Sequence, residues 1–207
     1  MKKITLALLC MILAAGTAMA QKQFTFGPKV GVDYTHFWGK DTKNFRGLLN
    51  YQAGMFFEYR FTDNFSIAPE VVFASQGDKY KFTIPLEDEI TGETLGYKDT
   101  YITYNVNYIN VPVMLKYYVI PSLSIDFGPQ LGINVYSKKA HDGIEGDATF
   151  DNKEYTKTVD FGIGLGLTYN ITEEVFVQGR YTLGVTKAFK DYEYKNGNAQ
   201  IAIGYRF

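Results

Sequence analysis

The chain has 207 residues and a formal net charge of −1, with 46% hydrophobic and 16% aromatic residues. This balance, without a run of basic residues, excludes the strongly basic surface that nucleic-acid binding requires. The length suits one domain, and no low-complexity linker divides it.

The first 20 residues have the pattern of a secretory signal peptide: a short basic start, an apolar run and the small-x-small ending at Ala18 and Ala20. We predict cleavage before Gln21, so that residues 1–20 are the signal peptide and residues 21–207 the mature domain. The apolar run over 4–15 is too short for a transmembrane helix. Cys10 is removed with this segment, so the mature chain has no disulfide framework.

Alternation of apolar and polar residues, the period of a β-strand, dominates the mature sequence. In the first segment Val30 and Val32 lie on one face, and Lys29 and Asp33 lie on the other, which would break the apolar stripe of a helix. The pattern predicts strands at residues 24–38, 51–61, 65–74, 109–119, 123–135, 159–169, 175–185 and 199–207.

Short turns and long polar segments join these predicted strands alternately. The turns lie near residues 62–64, 120–122 and 170–174, and the long segments are 39–47, 76–100, 137–156 and 187–197. We predict that the long segments are loops, with an extended hairpin around Thr91 and Gly92 as an alternative for the second.

An even number of strands, with long connections at one end and tight turns at the other, is the layout of an outer-membrane barrel. The sequence therefore predicts an all-β fold: an eight-stranded antiparallel up-and-down transmembrane β-barrel with its apolar face toward lipid. Residues 102–108 alternate on the parity opposite to the segment from Ile109, so either a bulge near Tyr108 resets the register or this part projects above the membrane.

A soluble lipocalin-like barrel is the alternative, because it also has eight strands and a signal peptide. The glycines of the polar face favour the membrane form: they stabilise nothing on an outer surface, but they make room in a narrow lumen. These glycines are Gly27, Gly31, Gly54, Gly128, Gly132, Gly162, Gly164, Gly166 and Gly204.

The inward parity also carries equal numbers of cationic and anionic side chains. Charges enclosed by a barrel wall need partners, because an unpaired buried ion costs several kcal/mol. A side-chain plug of ion pairs and hydrogen bonds is therefore favoured over a proton relay or a selective pore, which would carry an excess of one charge. The predicted interior charge network is Lys29, Asp33, Glu58, Arg60, Glu70, Lys116, Asp126, Asp160, Arg180 and Arg206.

Other chemical signals are weak, and we predict no catalytic residue, no metal site and no cofactor. His36 and His141 are the only histidines, too few for a usual metal site. The acidic segment 142–147 has calcium-binding residue types but is more typical of a solvated loop. Ser75, His36 and Asp78 could form a hydrolase set at the outer rim only by chance.

Several segments together resemble the PorT-like family of small outer-membrane β-barrel proteins of Gram-negative bacteria. They are Gly-Pro-Lys-Val-Gly-Val at 27–32, Tyr-Ile-Asn-Val-Pro-Val-Met-Leu-Lys-Tyr at 108–117, Leu-Ser-Ile-Asp-Phe-Gly-Pro-Gln-Leu-Gly at 123–132 and the final Tyr-Arg-Phe. The resemblance covers 24–207 and implies insertion by the barrel-assembly machinery, with Tyr205 and Phe207 as the assembly signal. It implies no activity.

We therefore expect a non-enzymatic protein of the outer membrane, exported through the periplasm and surrounded by outer-membrane lipid. Its rigid barrel, with a plugged lumen, would act as a scaffold that displays the long extracellular loops, where a protein partner would bind. The alternative is a narrow, porin-like channel for small solutes or ions.

Overall fold

The computed structural model describes residues 23–40, 42–87, 93–142 and 148–207. The predicted signal peptide lies outside these residues. The elements are β1 (Phe24–Trp38), β2 (Leu48–Arg60), β3 (Phe65–Glu87), β4 (Thr94–Ile120), β5 (Leu123–Asp142), β6 (Ala148–Asp151), a 3-10 turn (Lys153–Tyr155), β7 (Val159–Asn170), β8 (Val175–Gly184) and β9 (Lys195–Tyr205).

All strand pairings are antiparallel, and eight strands close into a ring in the order β4-β3-β2-β1-β9-β8-β7-β5, with β5 pairing back to β4. The seam joins the first strand to the last, with Val30 opposite Ile203 and Val32 opposite Ile201. The short strand β6 adds only to the outer end of β5. The predicted eight-stranded up-and-down barrel is confirmed, and closure leaves its wall without a free edge.

The barrel is apolar outside and polar inside. Along β7 the burial alternates without a break: Phe161 and Leu165 are about half exposed, whereas Asp160 and Thr168 are buried. Charged groups inside and apolar groups outside are the reverse of a soluble barrel, and this arrangement suits a wall that faces lipid. The chain contains no helix that could cross a membrane within its described ranges.

The loop predicted at 76–100 is wrong, and the alternative of an extended hairpin agrees with the described residues, because β3 and β4 continue as paired strands far beyond the barrel. They have 23 and 27 residues, and a membrane crossing needs only about 9–11. Lys81 Nζ lies 2.6 Å from an Asp99 carboxylate oxygen, and the Thr83 hydroxyl donates to Asp99 at 3.0 Å. We call residues 76–87 and 93–105 the outer hairpin; its tip lies outside the described residues.

Strand β4 keeps one parity through the region that the sequence left open. Val106, Tyr108 and Asn110 are all buried, so nothing resets the inward face of β4. A shift does occur in the ladder with β5, where Asn107 pairs with Tyr136 and Tyr108 pairs with Asn134. The upper part of β4 therefore projects past the membrane with its apolar side chains turned toward the barrel axis.

Those side chains belong to an aromatic cluster that covers the outer mouth of the barrel. Its buried members are Phe37, Val106, Tyr108, Ala188 and Phe189, and Phe45, Tyr104 and Tyr194 pack against them. The cluster joins loop 39–47, the outer hairpin and the segment between β8 and β9. It gives the extracellular end a small apolar core of its own, held by burial.

The Asp78 carboxylate fixes the loop after β1 to the outer hairpin. One oxygen accepts the Phe37 N–H at 2.7 Å; the other accepts the N–H groups of Gly47 at 2.6 Å, Lys79 at 2.7 Å and Arg46 at 3.2 Å. Four backbone donors satisfy a buried carboxylate without a cation. These hydrogen bonds fix the backbone that carries Phe37 and Phe45, and so hold both rings in the aromatic cluster.

Candidate functional site

The lumen is crossed at mid-height by a three-residue ion network. Glu70 accepts from Lys29 Nζ at 2.5 Å and from both Arg180 terminal nitrogens, at 2.6 and 3.1 Å. All three side chains are at least 97% buried. Because three strands separate β3 from β8 in either direction around the ring, the Glu70–Arg180 pair spans the full width of the barrel.

Hydrogen bonds extend this network to a fourth strand, β5. Lys29 also donates to Gln178 Oε1 at 3.1 Å, and Gln178 Nε2 donates to Asp126 Oδ2 at 3.1 Å. The hydroxyls of Ser124 and Thr168 donate to the same carboxylate at 2.6 and 2.5 Å. Asp126 is thus stabilised by hydroxyl and amide donors, which can satisfy a buried anion as a cation does.

A second network lies nearer the ends where the short turns are. Glu58 is 3.3 Å from Lys116 Nζ and 4.0 Å from an Arg206 nitrogen, and it accepts hydrogen bonds from the hydroxyls of Tyr118 and, at 2.7 Å, Ser66.

Arg60 and Arg206 also contact aromatic rings at this end. The guanidinium of Arg60 lies 3.8 Å from the Tyr118 ring centroid and that of Arg206 lies 4.6 Å from the Phe176 ring centroid. Both arginines line a cavity of about 570 Å³ that opens at this end of the barrel. The lumen is therefore open at this end as far as the Glu58 layer.

The two remaining predicted acids lie toward the outer mouth and have neutral partners. Gln52 donates to Asp33 at 2.8 Å; the Thr186 hydroxyl donates to Asp160 at 2.7 Å and Asn196 donates to it at 3.3 Å. Within the described part of the chain neither acid forms a salt bridge. The predicted network has five cations and five anions, but these side chains do not form five ion pairs.

Glycines let the interior accommodate these side chains, but in two different ways. A Cβ on Gly164 would lie 3.3 Å from Met114 Cε and 3.4 Å from Arg180 Cδ, so this glycine makes room for the side chains that cross the lumen. A Cβ on Gly27 would lie 1.7 Å from the Tyr205 carbonyl oxygen, so here glycine admits the backbone of the next strand. From the sequence we predicted only that these glycines make room for side chains in the lumen.

The hydrolase set considered from sequence is not assembled. His36 stacks between Tyr34 and Tyr181 on the outer surface, whereas Ser75 is buried and Asp78 binds backbone N–H groups. Among the described residues no group of three or more acidic or histidine side chains could hold a metal ion. Most of the acidic segment 142–147 lies outside the described residues.

A family model described as the outer membrane protein beta-barrel domain matches residues 19–190. The chain belongs to this family. Together with the closed ring, membership places the protein in the outer membrane, embedded in its lipid. The short turns, the start of β1 and Phe207 lie at one end of the barrel, which in such barrels faces the periplasm, and the outer hairpin lies at the extracellular end.

Two solved structures of other outer-membrane barrels share this fold. The attachment invasion locus protein Ail of Yersinia pestis superposes with a TM-score of 0.52 at 14% identity, covering 89% of this chain and 99% of that chain. Neisserial surface protein A gives 0.54 at 11% identity, covering 88% and 97%. At such low sequence identities the similarity shows a shared fold and nothing more. No curated protein sequence matches the chain.

Proposed function

We propose that this outer-membrane barrel is a non-enzymatic scaffold with a closed lumen, which presents the outer hairpin and the neighbouring loops to an extracellular partner. The observation that carries the proposal is the Glu70–Arg180 pair, which joins opposite walls at 2.6 Å. An eight-stranded barrel is only just wide enough to be filled by side chains, so a bridge across its diameter leaves no continuous water column.

The aromatic cluster supports closure at a second level. Phe37 and Phe189 are 4% and 3% exposed and stack edge to face above the lumen, with 5.4 Å between their ring centroids. An ion that passed the charged layer would meet an apolar barrier next, and such constrictions oppose conduction. A narrow channel is the competing function, and conductance separates the two.

The test is a planar-bilayer recording of purified mature protein beside the double variant Glu70→Ala/Arg180→Ala. We expect little steady conductance from the natural protein and a small increase from the variant, because the bridge across the lumen is gone while the aromatic cluster remains. In the variant Lys29 loses its carboxylate partner but keeps its hydrogen bond to Gln178 Oε1. Large, ion-selective steps from the natural protein would overturn the closed-scaffold proposal in favour of the channel.

The partner is expected at the extracellular end, where described residues of the outer hairpin are highly exposed: Leu95 is 70% and Tyr97 75% exposed. Pull-down from native outer membranes, with the natural protein and with a variant that carries a shortened outer hairpin, tests this part. A partner retained equally by both would contradict a scaffold role for the hairpin.

We further propose that the protein belongs among the PorT-like members of its family. Support comes from the segments at 108–117 and 123–132, which form neighbouring strands with Lys116 opposite Asp126. The proposal includes assembly by the barrel-assembly machinery. A solved structure of a PorT-like member that lacked an inward lysine and aspartate at this step would count against the placement.

A further inference from the structure

The aromatic cluster has a concave outer side. The Phe37 ring forms its floor, with centroids 5.4 Å from Phe45, 6.5 Å from Tyr104, 5.4 Å from Phe189 and 6.1 Å from Tyr194. Tyr194 lies 5.1 Å from Phe45, and Tyr104 lies 5.6 Å from Phe189. The four rings around Phe37 therefore also contact one another in pairs, and we call the concavity the aromatic cup.

The aromatic cup encloses space. Its cavity has a volume of about 260 Å³, and Tyr192, 54% exposed, stands at its rim. A packed core would leave no such void, because protein interiors are filled to the density of organic crystals. Apart from Ile102, the described residues that line the cavity are phenylalanines and tyrosines, and none of them carries a formal charge at neutral pH.

Aromatic faces are electronegative and attract a cation within about 6 Å of the ring centroid. The protein already uses this attraction at the edge of the cup, where Lys139 Nζ lies 5.6 Å from the Tyr104 centroid. The aromatic faces of the cup therefore favour a cationic ligand.

We propose that the aromatic cup binds a quaternary ammonium group, such as that of choline, either free or as a lipid headgroup. A primary ammonium would exchange the acceptors that water provides for tyrosine hydroxyls at best, because no carboxylate is among the described lining residues. A trimethylammonium group has no N–H to satisfy, and its methyl groups suit an apolar wall. The site lies outside the closed lumen, so it would bind whether or not the barrel conducts.

The cup is also preorganised, which lowers the entropic cost of binding. Asp78 fixes both ends of the loop that carries Phe45, through the N–H groups of Phe37 and Gly47. A backbone hydrogen bond from Lys81 to Asn44 at 2.9 Å ties the same loop to the outer hairpin. The ring walls thus come from segments that are bonded to one another.

The experiment measures binding of choline to mature protein in a maltoside detergent, which contains no quaternary ammonium. The matched probe is 3,3-dimethylbutan-1-ol, which has the shape of choline without its charge. We expect choline to bind about tenfold more tightly than the alcohol, the ratio that a cation–π contribution of one to two kcal/mol produces. Equal binding of both probes, or no binding of choline, would overturn the proposal.

Three variants locate the site. Tyr192→Leu changes an exposed rim residue, so the fold should be preserved, and we expect it to weaken choline binding severalfold. Tyr97→Leu is the control: Tyr97 lies on the outer hairpin but not in the cavity lining, and its replacement should leave choline binding unchanged. Lys139→Gln should tighten binding, because it removes a competing cation. Weaker choline binding in Lys139→Gln would refute the assignment, because removing a competing cation cannot weaken a cation–π site.

Vesicles distinguish the two sources of the group. Binding of the protein to phosphatidylcholine vesicles, but not to phosphatidylglycerol vesicles, would identify a lipid headgroup as the ligand. Binding of free choline without either vesicle would identify a small solute. Each result supports a quaternary ammonium site, whereas binding to phosphatidylglycerol vesicles alone would contradict it.

Discussion

Replacing Glu70 with glutamine removes the carboxylate that Lys29 and Arg180 both contact. The variant keeps the shape of the side chain but leaves two buried cations to share one neutral acceptor. Breaking a buried ion pair in this way costs about 3–5 kcal/mol, a large fraction of the roughly 5–15 kcal/mol that stabilises a typical fold. We expect Glu70→Gln to lower the free energy of unfolding by at least the smaller of these penalties.

The partners of Glu70 should differ in how much their removal costs. Lys29→Met removes a charge but leaves Glu70 with both Arg180 hydrogen bonds, at 2.6 and 3.1 Å, so its cost should be clearly smaller than that of Glu70→Gln. Glu193→Gln is the surface control: this carboxylate is exposed, and its solvent-screened ion pair with Lys187 should contribute little to stability.

The assay is reversible urea unfolding of the barrel in lipid vesicles, followed by the fluorescence of Trp38, the one tryptophan of the chain. Its indole N–H donates to the Asn196 carbonyl at 3.1 Å across the seam between β1 and β9, so its signal reports barrel closure. Two results would refute the reasoning: equal costs for Glu70→Gln and Lys29→Met, or a cost for Glu70→Gln no larger than that of the surface control.

Three further predictions concern the seam, the carboxyl end and pH. Gly27→Ala should prevent the barrel from closing, since its Cβ would overlap a backbone oxygen, whereas Gly179→Ala, with open space around it, should fold normally; the shift between boiled and unboiled samples on a denaturing gel checks both. Deleting Phe207, whose N–H donates to the Phe26 carbonyl at 2.8 Å, should lower outer-membrane yield while export continues, and an unchanged yield would contradict its role in assembly. The hydrogen bond from Lys187 lowers the pKa of Glu193, so this ion pair should persist at pH 5 and be lost only as pH falls through that lowered pKa. NMR can follow the titration of the Glu193 carboxylate. In Lys187→Gln its pKa should be higher than in the natural protein.

The sequence predicted the barrel wall well because a wall between lipid and lumen requires a period of two. The predicted bounds of β1 agree with the structure at both ends, and those of β7 and β8 agree within one residue. Inward and outward faces follow directly from parity, as Lys29 and Val30 show. Long and short connections then determine which strands are neighbours.

The extracellular structure was harder to predict because both faces of a strand outside the membrane meet water. Polar residues on both faces of the outer hairpin, such as the neighbours Lys98 and Asp99, resemble a loop in composition although they form paired strands. The aromatic cup was missed for a related reason: Phe37, Tyr104 and Phe189 come from three distant segments. The one local signal was the apolar parity of residues 102–108.

Parity alone determined that Glu70, Arg180, Asp33 and Asp160 point into the lumen; only the tertiary structure decided which of them meet. Glu70 and Arg180 are separated by 110 positions and become partners because their strands stand opposite each other in the closed ring. Asp33 and Asp160 also point into the lumen, but at their positions along the barrel axis the neighbouring groups are side-chain amides and a hydroxyl. The height of each side chain depends on the stagger between strands, which is fixed when the first strand pairs with the last and is not encoded in any single segment.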